Sequence, residues 1–309
     1  MNLLKKYRSV IGMTLLVGGY ALYTFFHQLY IPPGHLKITM LNIGQGDAIL
    51  IQIGETHFRT IDILVDSGPD HSVVYELGDT LAPWNNTIEY AIATHDDADH
   101  IAGFLEMKKQ YEITQWILPG RTKDTAVSEY FHDFLNESGA AQQRVRRGDT
   151  LQITPDAQFH ILHPTAVPHE DINDDSIVGI FRFKNVHTML TGDASVKNEQ
   201  DILADPQFAQ MNFDVDILKA GHHGSKTSTS LEWLQATQPE TVLISAGVDN
   251  TFGHPHYRVI KDIQESGATV FQTNRDGRTA CISDGLDYKC APVRSSAFQA
   301  LSAFGLAPK

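Results

Sequence analysis

The chain has 309 residues, 42% of them hydrophobic, which is enough for one large domain or two ordinary ones with a sizeable core. Lys and Arg total 24 against 37 Asp and Glu, a formal net charge of −13, so the protein as a whole does not attract nucleic acid over long range; only local basic spots or bound divalent ions could do so. Two cysteines, Cys281 and Cys290, are too few for a disulfide scaffold or a thiolate metal site, and their spacing fits two arms of a hairpin, either bridged in an oxidising compartment or left as free thiols.

Residues 1–33 contain no acid; Lys5, Lys6 and Arg8 precede the nearly uncharged run Val10–Phe26. That run approaches the roughly 20 apolar residues needed to cross a bilayer. Tyr23, Phe25, Phe26 and Tyr30 suit an aromatic belt, and no clear small-residue cleavage pattern follows. The expectation is an uncleaved, single-pass anchor in the inner or cell membrane, with the body of the protein outside the cytoplasm. Pro32-Pro33-Gly34 separates it from the domain.

From Lys37 the pattern becomes short strands: Leu36–Asn42, Ala48–Ile53 and Ile61–Val65. The glycine turn Gly44-Gln45-Gly46-Asp47 joins the first two, and Asp66-Ser67-Gly68 ends the third. The buried-looking strand Ile88–Ala93 then feeds Thr94-His95-Asp96-Asp97-Ala98-Asp99-His100, with two histidines and three carboxylates in six positions. Residues i and i+2 at a strand end face the same way, so His95 and Asp97 could grip one ion while Asp99 and His100 grip another. An acidic solvated loop is the bland alternative, but it has no need of two histidines at such regular spacing. Imidazole with carboxylate suits Zn, Mn or Fe.

A helix over 101–110 follows, then an amphipathic stretch over 122–137 with Val127, Tyr130, Phe131 and Phe134 as core contacts. Arg144–Arg147 is the single basic cluster, read as a turn where a phosphate chain could rest. Strands are predicted over 151–153, 157–162, 176–183, 188–190, 215–218, 241–245 and 269–273, helices over 196–203, 230–235 and 257–265, and a hairpin turn at Asp276-Gly277. Residues 291–309 read as a frayed tail.

In this order, Gly44-Gln45-Gly46-Asp47, Asp66-Ser67-Gly68, His95-x-Asp97-x-Asp99-His100, Asn173-Asp174-Asp175-Ser176, Thr191-Gly192-Asp193 and Gly221-His222-His223-Gly224-Ser225 resemble the metallo-β-lactamase fold. Within it they are most similar to the C-terminal hydrolase domain of ComEC/Rec2-type competence proteins. Gly253-His254-Pro255 and Thr273–Gly277 extend the likeness. The resemblance implies an α/β fold, a four-layer αβ/βα sandwich over residues 34–290, holding two divalent ions, Zn or Mn. His95 and Asp97 would hold the first ion, Asp99 and His100 the second, and Asp193 would bridge them. His222, favoured over His223, would complete the second site, with Asn173 or Asp174 near the first. Asp66 would support the ligand loop, Asp99 would accept the water's proton, and His254 would donate to a phosphoryl oxygen or the leaving group. Asp47, Ser225 and Lys226 are expected to face substrate.

Asp97 stands where hydrolytic lactamases carry a histidine, which hardens the first site and raises manganese against zinc. The implied activity is a phosphodiesterase or nuclease on DNA or a small phosphodiester, with a competence-machinery partner by analogy. A lactam, lactone or thioester hydrolase is one alternative; a non-catalytic tethered module binding nucleic acid or a partner is the other.

Overall fold

The computed structural model describes residues 7–165, 175–210 and 214–293. Asn173, Asp174 and the predicted tail from residue 294 lie outside the described residues, as does the start of the predicted anchor.

Two sheets face each other. The first has eight strands in the order β15 (Tyr288–Pro292), β14 (Thr279–Ser283), β1 (Leu36–Met40), β2 (Ile49–Thr56), β3 (Arg59–Val65), β4 (Thr87–Ile92), β5 (Glu112–Leu118) and β6 (Ala141–Arg144). The second has seven, in the order β13 (Thr269–Gln272), β12 (Thr241–Ile244), β11 (Ile217–Lys219), β10 (Val186–Leu190), β9 (Val178–Phe183), β8 (Ala157–His163) and β7 (Thr150–Thr154). In each sheet a run of antiparallel hairpins leads into four parallel strands, β3–β6 in one and β10–β13 in the other.

Alternation along the strands decides the layering. Ile38, Ile51, Ile63, Phe159, Phe181 and Leu190 meet between the sheets. The opposite face of the first sheet, through Leu50, Leu64 and Trp116, packs on α2 (Ser72–Thr80), α3 (Ala98–Met107) and α4 (Ala126–Ser138); α1 (Arg8–Leu29) precedes them in the chain. The outer face of the second sheet, through Met189 and Leu218, packs on α5 (Val196–Leu203), α7 (Leu231–Thr237) and α8 (Tyr257–Ser266), with the short α6 (Pro206–Gln210) between the first two. The result is the four-layer αβ/βα sandwich. Parallel strands require these crossover helices, and ligands in such sheets gather beyond the strands' C-terminal ends.

α3 carries half of the candidate site, so what pins it matters. Its Phe104 meets Trp116 edge-on with centroids 4.9 Å apart, and Phe131 of α4 lies 5.8 Å away. Gly103 lets the helix approach the chain after β3: a Cβ there would lie 2.0 Å from the Ser67 carbonyl oxygen.

Several expectations change. Tyr130 is 67% exposed and takes no part in the core that Phe131 enters. Arg147 is paired with Asp201 at 2.6 Å and Asp205 at 3.1 Å, and Arg144 lies in β6 and donates to the Pro119 carbonyl, so these two basic groups serve the fold. Asp276-Gly277 is no hairpin; it closes α9 (Thr273–Asp276) and passes the chain from β13 in one sheet to β14 in the other. Cys281 and Cys290 sit opposite each other on β14 and β15 and form a disulfide. A helix does form at Arg8–Leu29, where the membrane segment was expected. However, no helix among the described residues is long and apolar enough to cross a membrane; Thr14, Gly18, Gly19, Tyr20 and Tyr23 interrupt its apolar run.

Candidate metal centre

The centre is assembled from chain ends at one edge of both sheets. After β4 the chain runs through Thr94 and His95 into Asp97, the N-cap residue of α3, and Asp99 in its first turn. Asp96 points the other way: its carboxylate accepts from Ser128 Oγ at 2.7 Å and from the Lys123 amide, and lies 2.7 Å from His132 Nε2. Three neighbouring acids are thereby sorted, one into the fold and two toward the centre. Gly46 lies so close to α3 that a Cβ would meet the Asp99 carbonyl oxygen at 2.2 Å.

Asp193, after β10, is the hub. Its carboxylate lies 3.3 Å from His100 Nε2, 3.5 Å from His222 Nε2, 3.6 Å from His223 Nε2 and 4.0 Å from His95 Nε2. It is 3% exposed, and His95, His100 and His223 are 1%, 0% and 1% exposed. The Nε2 atoms of those three histidines and Asp193 Oδ1 are buried without a hydrogen-bond partner. Buried polar atoms are rarely left so, and four converging ones fit divalent ions. Among the described residues four overlapping groups could hold an ion: His95, His100 and Asp193; Asp99, His100 and His223; Asp47, Asp193 and His223; and Asp47, Asp66 and His100.

Asp97 reaches His95 Nε2 at 3.6 Å with one oxygen, while Lys123 pairs with the other. Asp99 lies 3.3 Å from His223 Nε2. Of the two histidines, His222 being the one expected as ligand, both sit in the left-handed region (φ 46° and 54°), in a short turn between Gly221 and Gly224; that turn sends His223 into the buried cluster and leaves His222 32% exposed, with Asp193 as its one acidic neighbour among the described residues. Two successive non-glycine residues there store strain of about 1–3 kcal/mol each, which the surrounding bonds must hold.

Beneath the ligating edge lies a supporting layer. Asp66 (φ 56°) accepts from the Thr94 amide at 2.8 Å and its hydroxyl at 2.7 Å, and lies 2.8 Å from His100 Nδ1, aiming the free Nε2 at Asp193. Asp47, expected to face substrate, is instead 1% exposed; it lies 3.2 Å from His223 Nδ1 and pairs with Lys219. Lys219 is 1% exposed, donates to the Gly192 carbonyl and lies 3.9 Å from Asp193. Nothing local in the sequence marks Lys219 or Lys123 as part of the centre, although Lys219 directly precedes Ala220-Gly221-His222-His223. Ser225 is buried, its hydroxyl 3.0 Å from that of Thr227; Lys226 is exposed. His254 is half-buried at the rim, its ring 5.6 Å from His222 and 6.3 Å from His223.

The charges are mutually arranged. Burial alone would raise Asp193 and Asp47, but His100 and His223 hold Asp193 well below the carboxylate range, and Lys219 and His223 do the same for Asp47. Burial would lower His223, but Asp193 and Asp47 raise it to about 9. Burial, unopposed in sum, lowers His222 and His254.

Residues 41–248 match the model of the metallo-beta-lactamase superfamily. Among curated proteins, "ComE operon protein 3" of Bacillus subtilis is 33% identical over 257 residues, covering 78% of this chain and 32% of that protein. "Recombination protein 2" of Haemophilus influenzae is 29% identical over 270 residues, covering 85% and 31%. The chain thus spans about a third of the length of these relatives. Among solved structures, a "CmlA beta-hydroxylase E377D mutant" superposes with a TM-score of 0.51 at 16% identity, covering 79% of this chain and 53% of that one, which is a likeness of fold. With the sandwich, the ligand edge and the matched span in agreement, the chain belongs to the metallo-β-lactamase superfamily and is similar to ComE operon protein 3 and Recombination protein 2.

Proposed function

We propose that the protein is a metal-dependent phosphodiesterase or nuclease that hydrolyses DNA or a small phosphodiester. The observation that carries this is the convergence on Asp193 of three buried imidazoles whose Nε2 atoms have no hydrogen-bond partner, completed by two acids, Asp97 and Asp99. His95, Asp97 and Asp193 would hold one divalent ion, and Asp99, His100, His223 and Asp193 the other. Bound there, the ions would supply Lewis acidity and an acidified water. The oxygen-rich first position suits manganese as well as zinc, and a phosphoryl group better than a lactam.

The chain's own groups complete the reaction. Asp99 takes one proton from the attacking water as its oxygen bonds to phosphorus, the ester P–O bond breaks, and Asp99 returns the proton to the leaving oxygen. His254 has a depressed pKa, through burial first and then His222 and His223, so at neutral pH it offers an N–H to a phosphoryl oxygen rather than a proton to the leaving group. The cationic Lys219 fixes the Asp47–His223 arrangement from below.

Attachment to a membrane through α1 belongs to the same proposal, since Leu15, Leu16 and Leu22 are exposed on it; flotation with liposomes, comparing the chain with and without residues 1–33, tests that part. The activity is tested with protein loaded with Mn or Zn, assayed on single-stranded DNA and bis(p-nitrophenyl) phosphate beside His95→Ala. Turnover that the substitution abolishes is expected. If neither substrate is cleaved, or His95→Ala cleaves as fast as the parent, the reading is wrong.

A further inference from the structure

The rim of the centre carries a large ring that the hydrolytic chemistry does not use: Phe252 is 69% exposed. Phe252 lies nearly parallel to His254, with centroids 5.9 Å apart and planes 25° apart; His254 in turn meets His222, whose Nε2 is 3.5 Å from Asp193. A continuous path of rings therefore runs from the hub of the centre to an open aromatic face.

That face is held in place. Asn250 ties the loop across itself, donating to the carbonyls of Gly247 and His254 and accepting from the His254 amide at 3.0 Å. The Gly247 amide donates to Gln45 Oε1 at 3.1 Å, which joins this loop to the glycine turn beside α3. The His256 amide donates to the Gly224 carbonyl at 2.8 Å, and Arg258 donates to the carbonyls of Lys226 and Ser228, so the loop also packs on the His222–His223 turn. Exposed aromatic rings on a pinned loop lose little freedom on binding.

Lys226 is exposed at this rim, while Arg258 is held by Asp262 at 2.9 Å and by the two carbonyls it donates to. A cationic group that can meet a phosphate, beside a ring that can meet a base, is the combination single-stranded nucleic acid uses. A duplex offers no free base face to such a ring, and its charge density is repelled by the rest of the surface.

We propose that Phe252, stacked on His254, is a platform for one base of a single nucleic-acid strand, with Lys226 beside its backbone. The inference rests on the phosphodiesterase reading and narrows its substrate to a single strand. A strand whose phosphate rests at the centre passes a neighbouring base over Phe252.

The test is binding of fluorescein-labelled oligo(dT) to the full chain, stripped of metal by chelation, measured by anisotropy for the parent, Phe252→Ala and Phe252→Trp. Losing one stacked base weakens binding by about tenfold, so Phe252→Ala is expected to bind about tenfold more weakly and Phe252→Trp as tightly as the parent. Oligo(dT) is expected to quench the added Trp emission, and a duplex of equal length to bind at least about tenfold more weakly than the single strand. Equal melting temperatures for the three proteins would show that all are folded. Phe252→Ala binding as tightly as the parent, or duplex binding as tightly as single strand, overturns the platform. Hydrolysis of bis(p-nitrophenyl) phosphate by the metal-loaded parent is measured in parallel. Hydrolysis without Phe252-dependent oligo(dT) binding removes the platform and leaves the phosphodiesterase reading. Phe252-dependent binding without any hydrolysis removes that reading and leaves a strand-binding surface.

Discussion

Asp62 and Asp66 lie four positions apart, one within β3 and one just past its end; both are buried, and they do opposite things. Asp62 is surrounded by neutral donors: Gln52 Nε2 at 3.0 Å, Thr60 Oγ1 at 3.0 Å and Asn85 Nδ2 at 2.5 Å. Burial outweighs those bonds and raises its pKa to about 6. Asp66 is also satisfied, but one of its partners is a histidine whose other nitrogen has none. What separates a structural acid from a functional one here is therefore not burial but where the partner's remaining valence points. Around Asp62 the network closes on amides and a hydroxyl. Around Asp66 it continues through His100 to Asp193 and stops at orphaned atoms, where an ion fits.

If that distinction is right, the largest effect comes from cutting the open network at its hub. Asp193→Ala removes the carboxylate shared by four histidines. Metal affinity should fall by more than about a hundredfold, beyond what loss of a supporting group costs. Elemental analysis after gentle purification should find fewer ions per chain than in the parent, and turnover of bis(p-nitrophenyl) phosphate should fall with them. Unchanged metal content would mean that Asp193 only neutralises the histidines.

Cutting one layer further back should cost less. Asp66→Asn keeps the shape but sets an amide N–H against a donor, either the Thr94 amide or the Thr94 hydroxyl and His100. His100 then loses its fixed orientation, and metal affinity should drop by roughly 10–100-fold, measured by competition with a chromogenic chelator. An unchanged affinity would place Asp66 with Asp62, as a purely structural acid.

The same distinction explains what could be read from sequence. β1 to β4 announce themselves as apolar runs closed by glycine or aspartate, and His95-x-Asp97-x-Asp99-His100 is compact enough to read as a site by itself. Other parts have no local signal. β6 is Ala-Gln-Gln-Arg, fully exposed at a sheet edge, and only pairing with β5 makes it a strand. α2 is nine residues long and carries Gly78 and an acid near its end, too short and broken for a periodic stripe. Lys219 reads as surface because lysine usually is; its burial depends on Asp47, a partner in the other sheet's loops. Which of His222 and His223 is the more deeply buried turns on two left-handed residues, which spacing does not encode.

The smallest effect should come from the closed network, and it has a sign that the open one cannot imitate. Asp62 binds its proton more tightly folded, with a pKa of about 6, than unfolded, near the model-peptide value of about 3.9. Its contribution to stability is therefore fully present below about pH 3.9 and is lost as the pH rises through about 6. Asp62→Asn removes the titration. Its new amide N–H can face Gln52, whose Oε1 is buried without a partner and becomes an acceptor once that side chain turns over. The variant should then gain on the order of 1 kcal/mol over the parent at pH 7.5, where the parent must keep a buried charge, and little or nothing near pH 4. Urea unfolding of both proteins across that range measures the difference, with Asp66→Asn as the contrast. A gain at pH 7.5 that vanishes toward pH 4, without change in metal affinity, would keep Asp62 on the structural side. A loss at every pH would show that its charge is needed, with the buried Lys37, whose pKa burial lowers to about 8 and Asp62 partly restores, as the counter-charge.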